Sequence, residues 1–212
     1  MIRELEYNSI RYLEIFPKNY EEGRAYPVIF HTHGAGCRGT SFDKLKTTII
    51  IKKAMAGDPE FENFIVVAPV CHGDTWFDIF ERLMALCEHI YSQPYTDKAH
   101  FYASGISMGG YTAYQLMMSR PELFAAGVVC CGGGMYWNAS RLKDIPLQVF
   151  HGEQDRTVLP EESFKMVEKI NAKGGSANLT TYPECSHNCW DNAYSSQWLY
   201  PWLLAQTNKN VK

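Results

Sequence analysis

No stretch of about 18 apolar residues occurs in this 212-residue chain, so no membrane-spanning helix is expected. The first six residues, Met1-Ile2-Arg3-Glu4-Leu5-Glu6, are half charged and hold no apolar core of a secretory signal. A cytoplasmic location without a membrane partner is the expectation. A basic excess is also missing. Twenty Lys and Arg stand against 23 Asp and Glu, a net charge of −3, which argues against a nucleic-acid partner. The paired C-x-x-C spacing of a structural zinc site is absent. The seven cysteines are odd in number. Cys130 and Cys131 sit in an apolar run as small hydrophobes, and whether Cys185 pairs with Cys189 stays open. Repeats, low-complexity tracts and linkers are lacking too, so residues 1–212 are expected to form a single domain.

What is present is alternation. Apolar runs at Tyr26–His31, Phe64–Ala68, Ala99–Ser104, Phe124–Cys131, Leu147–Phe150 and Ala177–Tyr182 read as strands. Between them lie segments of helical period. Trp76, Phe80, Leu83, Cys87 and Ile90 recur at steps of three and four, which predicts a helix over 76–91. Further helices are expected over Met108–Ser119, from Pro160 to before Gly174, and over Ala193–Gln206 with a kink at Pro201. Strand and helix in repetition imply an α/β fold: a mostly parallel sheet of seven or eight strands with helices on both faces. Ligands bind such sheets beyond the carboxyl ends of the strands. Glycine-rich turns mark those ends here.

Gly105-Ile106-Ser107-Met108-Gly109 matches G-x-S-x-G between a predicted strand and a predicted helix. That setting lifts a serine hydroxyl clear of the sheet, and glycines two residues to either side relieve the crowding. Ser107 is the candidate nucleophile. A serine hydroxyl needs an adjacent base, and acid and base follow this kind of serine in that order along the chain. Two histidines lie downstream, His151 and His187. Only His187 leaves room for an acid between itself and Ser107. Asp155, in the turn after Leu147–Phe150, is the carboxylate placed to orient it; Glu153 and Glu184 are the competitors. The donors to a tetrahedral oxyanion are expected to be the backbone N–H of Met108 and, from the loop His33-Gly34-Ala35-Gly36, that of Ala35. His31 and His33 share a strand face, but no third ligand is near, so no metal is expected. Trp76, Tyr111, Trp137 and Trp190 are the candidate substrate contacts.

In sum these motifs, His33-Gly34-Ala35-Gly36-Cys37-Arg38-Gly39, Gly105 to Tyr111, His151-Gly152-Glu153-Gln154-Asp155 and Ser186-His187-Asn188-Cys189-Trp190, resemble the dienelactone hydrolase and feruloyl-esterase-like branch of the α/β-hydrolases. That branch includes bacterial proteins of the predicted-peptidase type, related to prolyl oligopeptidase catalytic domains. The resemblance covers about Tyr26 to Gln206. It implies a Ser-His-Asp triad at Ser107, His187 and Asp155, no cofactor and a small-molecule ester substrate. Relatives often carry an acidic residue where this chain has Cys37. Dienelactone hydrolase itself uses a cysteine nucleophile, so serine at 107 argues against dienelactone as substrate. The segment from Cys131 to Leu147 is too short for a large lid, which suggests a shallow site and short or polar acyl esters, acylated carbohydrate or phenolic esters among them. A small serine peptidase or amidase is the alternative, and a non-catalytic binding module a third reading.

Overall fold

The computed structural model describes residues 1–211. Its centre is one eight-stranded sheet in the order β1-β2-β4-β3-β5-β6-β7-β8. The strands are β1 (Ile2–Tyr7), β2 (Ile10–Ile15), β3 (Tyr26–Thr32), β4 (Ile65–Pro69), β5 (Thr96–Ile106), β6 (Ala126–Cys130), β7 (Leu147–Gly152) and β8 (Ala177–Tyr182). From β4 to β8 all neighbours are parallel; β1–β2 and β2–β4 are antiparallel. β4, β6 and β7 are buried along their whole length, as strands covered on both faces must be, and this is why they read as unbroken apolar runs.

Among the described residues six helices cover the sheet: α1 (Ile49–Ala56), α2 (Phe80–Tyr91), α3 (Met108–Ser119), α4 (Glu161–Ala172), α5 (Trp190–Tyr194) and α6 (Leu199–Leu204). One core, with Leu83, Leu86, Met117, Met166 and Ile170, lies under α2, α3 and α4. The other, with Ile50, Ala193, Tyr194, Leu199 and Leu203, lies under α1, α5 and α6 on the opposite face. Between β6 and β7 the chain makes a 3₁₀ turn, Tyr136–Leu142, and no inserted lid. No described helix is long and apolar enough to cross a membrane.

Two expectations need correction. The segment 76–91 is not one helix. A 3₁₀ turn, Trp76–Ile79, precedes α2, and the step between them falls at Ile79, whose φ is −123°. The turn starts where Thr75 and Asp78 cap one another reciprocally. The last helix is also two pieces, α5 and α6. Pro201 is the third residue of α6, within the first turn, where its missing N–H has no helical partner to lose; it introduces no kink.

Candidate active site

Ser107 stands between the end of β5 and the start of α3 with φ +52° and ψ −121°. That region is strained for a residue with a side chain, at about 1–3 kcal/mol. The surrounding chain holds it there. Its N–H donates to Cys130 O at 2.9 Å, and Gly110 N–H donates to its carbonyl at 2.7 Å. Two glycines make the turn possible. A Cβ on Gly105 would collide with the carbonyl of Gly109, and a Cβ on Gly109 with the carbonyl of Thr32. The Thr32 hydroxyl then donates to Gly109 O at 2.8 Å, tying the start of α3 to the end of β3.

The structure brings the three predicted triad residues together. The Ser107 hydroxyl lies 2.8 Å from His187 Nε2, and His187 Nδ1 lies 2.6 Å from Asp155 Oδ2. Asp155 comes from the turn after β7 and is 1% exposed. Its second oxygen accepts the N–H groups of Thr157 (2.8 Å) and Val158 (3.0 Å). Burial alone would push its carboxyl pKa up. The hydrogen bonds from His187, Val158 and Thr157 together outweigh that and hold it below the usual carboxylate value. Asp155 is therefore a carboxylate at neutral pH, aimed at the Nδ1 edge of the His187 ring. Glu153, by contrast, is exposed and accepts a bond from Thr181.

His151 has a role that its sequence position did not announce. Its Nε2 faces Val158 O at 2.9 Å and Asp155 Oδ2 at 3.3 Å, both acceptors, so Nε2 carries a proton. Its Nδ1 lies 2.7 Å from the Ser163 hydroxyl. The buried ring braces the Asp155 turn from below. Cys131 is also close. Its Sγ, an Asp155 oxygen and a His187 nitrogen lie within 4.8 Å of one another, the one such three-group cluster among the described residues. Burial raises the Cys131 thiol pKa far above its ordinary value, so it stays protonated. All seven cysteines are free, Cys185 and Cys189 included.

The loop expected to supply the second oxyanion donor lies against the nucleophile. A Cβ on Gly34 would touch Ser107 Cβ at 3.4 Å. Ala35 opens a 3₁₀ turn and Met108 opens α3. Both N–H groups belong to first turns and lack helical partners. His33 fixes the loop. Its Nδ1–H donates to Gly34 O at 2.7 Å, its Nε2 accepts Cys71 N–H at 3.0 Å, and its carbonyl accepts the Trp76 indole N–H at 3.0 Å. Burial lowers its pKa to about 4. His31, beneath it, is fully buried beside Ser104, and burial lowers its pKa to about 3.

The aromatic candidates divide. Trp76 is fully buried, its ring tilted against His33 with centroids 4.8 Å apart, under the loop of Gly34 and Ala35. Substrate cannot reach it, so its assignment as a contact is corrected: the indole faces inward because its N–H is claimed by His33 O. Trp137 is 71% exposed, packed edge-on against Tyr136. Trp190 stands edge-on to His187, ring centroids 5.4 Å apart. Tyr111, half-buried one turn along α3, lines a groove of about 700 Å³ together with Phe77, Phe80, Tyr114, Met118 and Met135. The groove runs along the face of α3 that begins with Tyr111, whose N–H donates to Ser107 O at 3.2 Å. Sequence reasoning missed Phe77, Phe80, Met118 and Met135. The available signal was the spacing Tyr111-Gln115-Met118, one face of a helix.

With this geometry in hand, comparison with known proteins is informative. The profile of the prolyl oligopeptidase family matches residues 71–143 and 135–209. The chain belongs to that family. Dipeptidyl-peptidase 5 of Porphyromonas gingivalis is 21% identical over 226 aligned positions, which cover 82% of this chain and 32% of that protein. The chain thus spans about a third of that relative's length. Among solved structures, a thermostable esterase superposes with a TM-score of 0.80 and 28% identity, covering 98% of this chain and 63% of its own. Est1E from Butyrivibrio proteoclasticus gives 0.72 and 13% identity, covering 97% and 99%; at that identity the likeness speaks for the α/β-hydrolase fold alone. The kinship with prolyl oligopeptidase catalytic domains expected from the sequence is shown by the family match.

Proposed function

We propose that this member of the prolyl oligopeptidase family is a serine hydrolase that cleaves carboxylic esters through an acyl-enzyme on Ser107. The observation that carries the reading is the relay Ser107 Oγ–His187 Nε2–Asp155, at 2.8 and 2.6 Å. In the first half-reaction His187 Nε2 takes the Ser107 proton as Oγ adds to the ester carbonyl. The tetrahedral oxyanion is held by Met108 and Ala35 N–H, each such donor contributing about 2.7–4 kcal/mol in comparable sites. His187 then gives its proton to the departing alcohol. In the second half-reaction water adds to the acyl carbonyl, His187 takes its proton, and Ser107 leaves with that proton restored. Asp155 keeps Nε2 turned toward Ser107 throughout and stabilises the transient imidazolium. No step calls for a cofactor.

The likeness to a thermostable esterase across 98% of the chain supports ester over amide substrates. Kinship with dipeptidyl-peptidase 5 keeps a small peptidase or amidase as the second reading. The test is a panel of p-nitrophenyl esters, methyl ferulate and acetylated xylan beside aminoacyl p-nitroanilides, with Ser107→Ala as control. Ester turnover that vanishes in the variant is the expected outcome. Anilide turnover at equal or higher kcat/KM would move the peptidase reading to the front. A fluorophosphonate probe that fails to label Ser107 would favour the binding-module reading instead.

A further inference from the structure

We infer that the groove beside α3 is an acyl pocket. It takes an apolar acyl group of medium length, alkanoyl or aryl-alkanoyl, that stays on Ser107 while the alcohol departs past His187. This rests on the ester-hydrolase reading above and replaces its expectation of short or polar acyl groups.

Three observations carry the inference. The first is continuity. Tyr111, whose N–H donates to Ser107 O at 3.2 Å, lines the groove, and Tyr111, Gln115 and Met118 follow at steps of four and three, so one face of α3 runs from the turn next to Ser107 down the groove. Eleven residues at 1.5 Å each put Met118 about 16 Å along the helix axis from Ser107. The second is lining. Phe77 and Phe80, from the 3₁₀ turn and the start of α2, line the groove with Met135, and Glu81 stands beside them. The Phe77 ring is 51% exposed at the edge of the groove, where an apolar rim around a concave site marks a place for an apolar ligand. The volume of about 700 Å³ lies within the range of small-molecule sites. The third is handedness. His187 is delivered by the β8–α5 loop, and α5 packs on the opposite face of the sheet from α2 and α3. Its Nε2 must reach the departing oxygen, so the alcohol lies on the His187 side. The carbonyl substituent is left the α3 side.

The test uses two ester series on the intact protein. One varies the acyl group of p-nitrophenyl esters from acetate through butyrate and hexanoate to octanoate, with 3-phenylpropanoate. The other varies the alcohol of alkyl acetates from ethyl to octyl. Each added acyl methylene is expected to raise kcat/KM by up to about fourfold, and octanoate should exceed acetate by at least about tenfold. The alkyl acetates should show no such rise. Gln115→Trp fills the groove and should flatten the acyl series. Phe77→Ala removes an exposed ring and should lower the octanoate-to-acetate ratio by about threefold or more. Phe164→Ala, equally exposed but on α4, should leave that ratio alone. A flat or falling acyl series overturns the pocket, as does a rise in the alkyl series, or an unchanged ratio in both groove variants that melt like wild type. Failure of the wild type to turn over p-nitrophenyl acetate overturns the ester-hydrolase reading itself, and the pocket with it.

Discussion

Lowering the pH from 8 to 4.5 should destabilise this protein through two histidines that do no chemistry. His31 and His33 are both fully buried, and burial holds their folded pKa values at about 3 and about 4. In the unfolded chain each titrates near the ordinary value of about 6.5. Because the folded value is the lower one, the unfolded state binds more protons in between. Stability is therefore complete above about pH 6.5 and is lost as the pH falls toward the folded values. At pH 4.5 each histidine has forfeited about 2–3 kcal/mol, about 5 kcal/mol for the pair. A domain is typically stable by about 5–15 kcal/mol, so this is a third of it or more. The assay is urea unfolding followed by fluorescence of the five tryptophans at both pH values. His31→Asn keeps a hydrogen-bonding group at the position of Nδ1 toward Ser104 and removes the titration. It should cut the loss between the two pH values by about half. A wild-type loss below about 2 kcal/mol, or the same loss in the variant, would refute the reasoning.

Three further outcomes are expected. Asp155→Asn should lower kcat by about 10⁴-fold with little change in KM, because an amide cannot hold the His187 tautomer; steady-state kinetics on a reactive ester reads this. Trp76→Phe leaves the His33 carbonyl without its indole donor and should cost about 1–3 kcal/mol in denaturant unfolding, with kcat reduced through a loosened Ala35 loop. Gly109→Ala should abolish activity and depress the Tm by several degrees, since the new Cβ meets the Thr32 carbonyl and lies 2.7 Å from His33 O; a variant that melts and turns over like wild type would contradict the packing described.

The parallel centre of the sheet and the three relay residues were legible because each announces itself locally: buried strands are apolar runs, and the nucleophile turn needs its glycines. The antiparallel edge was not legible. β1 is exposed along nearly its whole length, with Arg3, Glu4 and Glu6 on it, so no buried face imposes an alternation. Its hairpin turn, Asn8-Ser9, has φ of +48° and +64°. A primed turn with serine in its second place lacks the usual glycine signal. Helix α1, Ile49–Ala56, begins with three β-branched isoleucines in only eight residues, a composition that does not favour helix. Trp76 and Phe77 show what spacing leaves undecided. Adjacent aromatics at a turn face opposite ways, and which one enters the core depended on a hydrogen bond to His33, 43 residues away. The groove was hidden for the same reason: its walls come from distant segments.

The crossing of Gly105, Gly109 and Thr32 has a consequence for how this protein can change. The two candidate oxyanion donors sit on chain segments that interlock without a spare methyl's width, so neither can be shifted by mutation without dragging the other. Adaptation to a new substrate has no gradual route through that turn, where single steps are lethal rather than incremental. The open wall of Phe77, Phe80 and Gln115 carries no such interlock. Laboratory evolution should therefore gather its accepted substitutions there, and a library that randomises the turn should return mostly the parent sequence.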